Sequence, residues 1–98
     1  MLYKIKVSEV EIEFIRPQNG LVAFASCAVN ACLRVGNIAV YTAPNSSLSY
    51  RCVFPTKRLT SGRQVPCFYP YTSEAEKILT IAIVNKYIEL MDNFHHIS

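Results

Sequence analysis

Lys57-Arg58 and Arg63 flank Leu59-Thr60-Ser61-Gly62, so cations and hydroxyls crowd into one short stretch of chain. Ammonium, guanidinium and hydroxyl groups are the side chains that donate to phosphate oxygens, and clustering them on one segment is how a protein grips a nucleic-acid backbone. The wider context is consistent with that chemistry. From Ile15 to Ser73 there is no carboxylate, whereas Arg16, Arg34, Arg51, Lys57, Arg58 and Arg63 all fall there, a local charge of +6. The seven acids lie outside this span with Lys4, Lys6, Lys77 and Lys86, so the ends sum to −3 and the whole to +3. Such asymmetry can build a basic face. It is equally compatible with a few arginines that solubilise a β-rich segment. Tyr50, Phe68, Tyr69 and Tyr71 offer rings that could stack on bases, although aromatic side chains more often fill cores.

Other chemistries find little support. Gly20, Gly36 and Gly62 are the only glycines, and no phosphate-cradling glycine loop occurs. Glu9, Glu11 and Glu13 alternate along one segment, which reads as a solvated strand face rather than a catalytic carboxylate pair. His95 and His96 fall in a tail expected to fray, and no Ser/His/Asp set has a scaffold, so no catalytic residue is expected and the chain does not read as an enzyme. Cys27, Cys32, Cys52 and Cys67 include no Cys-x-x-Cys pair and read as reduced thiols that behave as small buried hydrophobes. Cys27 and Cys32 with His95-His96 could be drawn as zinc ligands, but the spacing fits no familiar metal motif, so no metal is expected.

The elements that must position the basic segment follow from periodicity. Val10, Ile12 and Phe14 alternate with the glutamates, predicting a half-buried first strand. Asn19-Gly20 supplies the positive φ angles of a tight reversal. Leu21–Val29 reads as a second strand covered on both faces. Asn30-Ala31 reads as the next reversal, and Cys32–Tyr41 as a third strand with a bulge at Gly36-Asn37. Residues 44–47 form a loop before a fourth strand over 48–54, with Leu48, Tyr50, Cys52 and Phe54 on one side and Arg51 on the other. Residues 55–63 read as a basic loop. Pro66 and Pro70 restrict 65–69 to an edge segment.

Ser73-Glu74-Ala75-Glu76 has the form of a capping box that opens a helix. From Ile78 to Met91 apolar residues surround most of that helix, so one face can pack on the sheet while the rest calls for a second cover. The fold class is therefore α+β: an antiparallel, four- to five-stranded curled sheet with one C-terminal helix, in a single domain over 1–98. Of the 98 residues 51% are apolar and only 17% charged, against roughly 25% charged in ordinary domains. That surplus favours a homodimer, with the helix as the first choice of contact. The opening residues do not resemble a signal peptide, and no apolar run approaches the ~20 residues of a bilayer span, so a cytoplasmic location is expected.

Two blocks resemble the SpoVG family (stage V sporulation protein G). Pro55-Thr56-Lys57-Arg58, then Gly62, then Pro70 resembles that family's Pro-Ser-Lys-Arg loop, glycine and downstream His-Pro; Thr56 replaces serine and Tyr69 stands where histidine is usual. Ala82, Asn85, Tyr87 and Leu90 resemble its helix pattern. Upstream the likeness is looser, through Ala25-Ser26 and Ile38-x-Val40, with residues 44–47 in a longer loop. It covers about residues 7 to 91.

The resemblance implies a dimeric bacterial regulator tied to septation, sporulation and cell division, binding DNA or RNA without a cofactor. On both the residue reading and the resemblance, Arg51, Lys57, Arg58 and Arg63 are the nucleic-acid-binding candidates. Family members usually open the closing helix with basic residues. Glu74 and Glu76 stand there instead and would repel phosphate. A protein-interaction module of the division or sporulation machinery, using the helix or Tyr69-x-Tyr71, is the competing expectation.

Overall fold

A computed structural model describes residues 4–97, with side chains described through residue 93. Four strands form an antiparallel meander in the order β1 (Val7–Gln18), β2 (Leu21–Val29), β3 (Leu33–Thr42) and β4 (Tyr50–Val53). A second, two-stranded sheet follows, β5 (Thr56–Arg58) with β6 (Gln64–Pro66), and the chain closes with helix α1 (Ser73–Ile97). The class is α+β, as expected. The segment that follows β4 does not extend the main sheet as a fifth strand. It makes its own hairpin.

Local chemistry explains the reversals. Gln18 pairs with Leu21, leaving Asn19 at φ 53° and Gly20 at φ 90°, the two positive values of a type I′ turn whose twist suits a two-residue hairpin. At the other end Asn30 and Ala31 are also left-handed, at φ 53° and 55°. Asn30 secures that corner: its side-chain oxygen accepts from the Lys6 N–H, and its own N–H donates to the Lys6 carbonyl, both at 2.8 Å. The bulge expected at Gly36-Asn37 is present, because Ala25 pairs with Ile38 and Cys27 with Val35, setting Ser26 against two residues of β3. A second bulge interrupts β1 at Glu9, which sits at φ 49°. Strand β4 is shorter than the apolar alternation suggested. Ser49 at φ 66° and the turn bonds around Ser46 delay pairing until Tyr50.

The core lies between one face of the sheet and α1. Ala23, Ala25 and Cys27 of β2 and Ile38 and Val40 of β3 are buried, and they meet a helical stripe of Ala75, Leu79, Ile83 and Tyr87 at four-residue spacing. The helix backbone approaches β1 and β4, the two edges, most closely. Small residues, Ala23, Ala25 and Cys27, line the centre of that face, and the larger Phe14 and Tyr50 stand on its edge strands. Tyr87 fastens both edges. Its ring centroid lies 5.4 Å from Phe14 of β1 and 4.9 Å from Tyr50 of β4, within the range of favourable aromatic pairs. Ile81 and Ile88, on the other side of the helix, remain exposed.

The helix start corrects the sequence reading. Thr72, not Ser73, is the N-cap: its hydroxyl oxygen accepts from the Ala75 N–H at 3.1 Å, and its carbonyl accepts from the Glu76 N–H at 3.0 Å. With the cap one residue earlier, the third helical position is Ala75 rather than Glu76, so the reciprocal carboxylate bond of a capping box does not form. Among the described residues no helix is long and apolar enough to cross a membrane.

Candidate nucleic-acid interface

The basic segment is a hairpin with defined geometry. The Gly62 N–H donates to the Leu59 carbonyl and the Leu59 N–H donates to the Arg63 carbonyl, both at 2.8 Å. That pair of bonds closes a turn over Leu59-Thr60-Ser61-Gly62 with an extra residue, Gly62, before Arg63 rejoins the ladder. The extra residue must be left-handed, and Gly62 sits at φ 91°. Below the turn Arg58 pairs with Gln64, Lys57 with Val65 and Thr56 with Pro66. At the base the Cys67 N–H donates to the Pro55 carbonyl at 2.9 Å, and the Phe54 and Phe68 rings meet edge-on at 5.9 Å, tying the hairpin to the end of β4.

Directly paired residues in an antiparallel ladder share a face, and neighbours along a strand alternate. Lys57 and Val65 therefore lie on one face, and Arg58 and Gln64 on the other. Arg63, just beyond the bulge and two residues before Val65, belongs with Lys57. Every residue from Thr56 to Gln64 is exposed. Among the described residues neither Lys57, Arg58 nor Arg63 has an ion-pair partner, since the described ion pairs are Arg34–Glu11 and Lys86–Glu89. The structure thus brings Lys57, Arg58 and Arg63 onto one appendage but divides them between its two faces.

Arg51 is placed differently. It pairs with Tyr41 across β3 and β4, on the sheet face turned away from α1, and its guanidinium carbon lies 4.7 Å from the centre of the Tyr41 ring. A cation at that distance is held by the ring's negative face. Nearby, between β4 and the start of α1, a cleft of about 370 Å³ is lined by Ser47, Arg51, Glu76, Lys77 and Thr80 among others. Its charge is mixed. The Glu74 and Glu76 carboxylates stand in the first helical turn, both exposed, where the helix dipole favours them. Anion binding at this end of the helix is correspondingly disfavoured.

Arg34, counted in the basic segment by sequence, is neutralised. Its Nη2 lies 3.0 Å from Glu11 Oε1 and donates to the Ser26 hydroxyl, also at 3.0 Å. The β1 carboxylates and the β3 arginine meet on the outer sheet face because β2 separates them by a single strand. The +6 of the linear segment thus divides into the three cations of the hairpin, a ring-stacked Arg51, an internally paired Arg34 and an exposed Arg16 on β1.

A feature that composition alone did not locate is an apolar cleft of about 390 Å³ between the sheet end and the start of α1, lined by Val29, Leu33, Phe68, Tyr71, Ile78 and Leu79 among others. Leu33 is 60% exposed, Tyr69 61% and Tyr71 91%, so these side chains are surface groups and not core. The signal was the repeated Tyr69-Pro70-Tyr71 pattern, in which Pro70 prevents the rings from entering a ladder.

The thiols behave as buried hydrophobes at two positions only. Cys27 is buried and Cys52 half-buried, and loss of solvation pushes both thiols up, Cys52 to about 11. At Cys52 a hydrogen bond with Thr80 opposes that rise, whereas Cys27 and Glu76 add to it. Cys32 and Cys67 are exposed, contrary to the expectation of burial. Both lie in connections, Cys32 ahead of β3 and Cys67 after β6, where no sheet face covers them. The His95 and His96 side chains of the zinc alternative lie outside the described residues. Among the described residues no three His, Cys, Asp or Glu groups are placed to hold a metal. No family model matches this chain, and no curated protein does either.

Proposed function

We propose that this chain is a cytoplasmic bacterial regulator of the SpoVG type, linked to septation and sporulation, and that it binds DNA or RNA mainly through phosphate contacts of the β5–β6 hairpin. It acts as a homodimer and by binding rather than catalysis. The observation that carries this reading is the set of Lys57, Arg58 and Arg63 on one exposed hairpin without a carboxylate partner among the described residues. Unpaired surface cations attract phosphate and release condensed counterions on contact. Arg51, on the outer face of the neighbouring sheet, adds a fourth cation to the same reading. The dimer is supported by the apolar surface left exposed at Phe14, Leu33, Ile81 and Ile88.

The test is a titration of DNA and RNA at two salt concentrations, with sedimentation of the same sample. Each phosphate contact contributes about 0.9 to the slope of log affinity against log salt on duplex DNA. Three contacts then cost about 40-fold in affinity between about 50 and 200 mM salt. Replacing Lys57, Arg58 and Arg63 together by alanine removes that dependence. Absence of binding to any nucleic acid at low salt defeats the proposal, and a monomer at all concentrations defeats its dimeric part.

A second reading rests on the apolar cleft with Leu33, Tyr69 and Tyr71 at its rim: a protein-interaction module of the division or sporulation machinery without significant nucleic-acid binding. A partner retained at high salt by the Lys57/Arg58/Arg63 triple-alanine variant, and lost on Tyr69→Ala with Tyr71→Ala, supports that reading over the first.

A further inference from the structure

We propose that the β5–β6 hairpin enters the major groove of B-form duplex DNA tip first and bridges the two phosphate walls, with Lys57 and Arg63 directed to one wall and Arg58 to the other. This inference rests on the nucleic-acid reading above and narrows it to one class of target.

The division of the cations is the starting point. Lys57 stands opposite Val65 and Arg58 opposite Gln64, so successive cations on β5 project to opposite faces of the hairpin. A flat surface laid against one phosphate backbone would use only one of those faces. A ligand with phosphates on two opposed sides uses both. Arg58 and Gln64 are exposed on one face; on the other Lys57 and Arg63 are exposed and Val65 between them is half-buried.

Dimensions then select the groove. Stacked sheets lie about 10 Å apart, so a single ribbon with its side chains occupies about 10 Å of thickness. The major groove of B-form DNA is about 12 Å wide and about 8.5 Å deep, whereas its minor groove is only about 6 Å wide. The turn and the last ladder pair above Lys57 extend for roughly three residues, about 10 Å at about 3.3 Å per residue, which matches that depth. The major groove of duplex RNA is too deep and narrow for side chains to be read in it. A single strand has no second wall. At the tip, Thr60 and Ser61 carry the hydroxyls that would reach the groove floor, and Gln64 adds an amide on the Arg58 face.

The experiment compares a short DNA duplex, the RNA duplex of the same sequence and one of the single DNA strands, each titrated across a salt series. The proteins are the wild type, Lys57→Ala, Arg58→Ala and the double variant, with thermal melts confirming the fold. On duplex DNA each single substitution should lower the log–log slope by about 0.9 and the pair by about 1.8, because the two faces act independently. Duplex RNA and single-stranded DNA should bind more weakly, and on the single strand one of the two substitutions should have no effect. Equal or tighter binding to duplex RNA or single strands overturns the groove assignment, as does a single substitution that removes as much as the pair. In those cases the protein still binds nucleic acid and the broader reading stands. If no nucleic acid binds at all, both fall together.

Discussion

Replacing Gly62 isolates the energetic role of one backbone angle. Gly62 lies at φ 91°, and a Cβ built on it meets no atom of the described residues within 4 Å. Steric collision with the described residues is therefore absent, and the cost of Gly62→Ala comes from forcing an L-residue into the left-handed half of backbone space. That cost is about 1–2 kcal/mol for a non-glycine residue, equivalent to roughly 5- to 30-fold in an equilibrium. Asn visits positive φ far more readily than Ala, and a β-branched residue least readily. The expected order of hairpin integrity is thus Gly, Asn, Ala, Val. Because the hairpin is a separate sheet tied to the remainder at its base, the penalty should fall on it locally. Amide exchange at Leu59 and Gly62, the two donors of the turn, should accelerate in that order, while exchange at Ile83 and Tyr87 stays at its wild-type rate. Affinity for duplex DNA should decline in parallel. If Gly62→Ala left the Leu59 and Gly62 amides fully protected, or if it accelerated exchange in α1 equally, the argument that this turn depends on one left-handed residue would fail.

Further outcomes follow from the same geometry. Ile83 is fully buried under β2 and β3, so Ile83→Ala should cost about 2–5 kcal/mol and Ile83→Val about 0.5–1.5 kcal/mol in urea denaturation. Thr72→Ala should destabilise the fold by about 1 kcal/mol, whereas Ser73→Ala should have little effect; the reverse order would restore Ser73 as the cap. The Arg34–Glu11 pair is 44% and 74% exposed, so a double-mutant cycle between them should give no more than about 1 kcal/mol, falling with salt. Cys52 has its folded pKa raised from 9.0 to about 11. Because the folded state holds the proton more tightly, this thiol's contribution to stability is present below pH 9.0 and is lost as pH rises through about 11. A thiol-reactive reagent near pH 8 should modify the exposed Cys32 and Cys67 well before Cys52.

The meander and its helix were legible because local signals agreed with tertiary demands. Asn19-Gly20 had a single plausible use, and β2 occupies the range its small apolar run prescribed. The bulge at Gly36-Asn37 was marked by the same pair of turn-forming residues. The helix cap was misread by one position because Ser73 and Thr72 both carry a usable hydroxyl, and only the chain's entry angle decides between them. The hairpin was hidden by composition: Pro, Thr, Ser and Gly read as loop, and three-residue strands are too short for alternation to register. The candidate site was legible as a cluster but not as an arrangement. Sequence placed Lys57 and Arg58 side by side, and ladder pairing sends them apart. It also counted Arg34 as free, since nothing in a linear reading reveals that β1 and β3 lie on either side of β2 with Glu11 within reach.

Strand β1 carries a consequence for handling and for mutation. Twelve residues long and, among the described residues, paired only with β2, it presents an outer margin of backbone groups, the kind of margin along which a second chain can zip and begin a precipitate. Two features stand against this: the kink at Glu9, which turns part of the margin out of line, and the glutamates that would be stacked against their own copies in such a zipper. Neutral, branched replacements at Glu11 and Glu13 would therefore leave the core packing as it is and still produce a protein that comes out of solution on concentration. These carboxylates act as guards of colloidal behaviour, and their worth is visible only when many molecules are present at once.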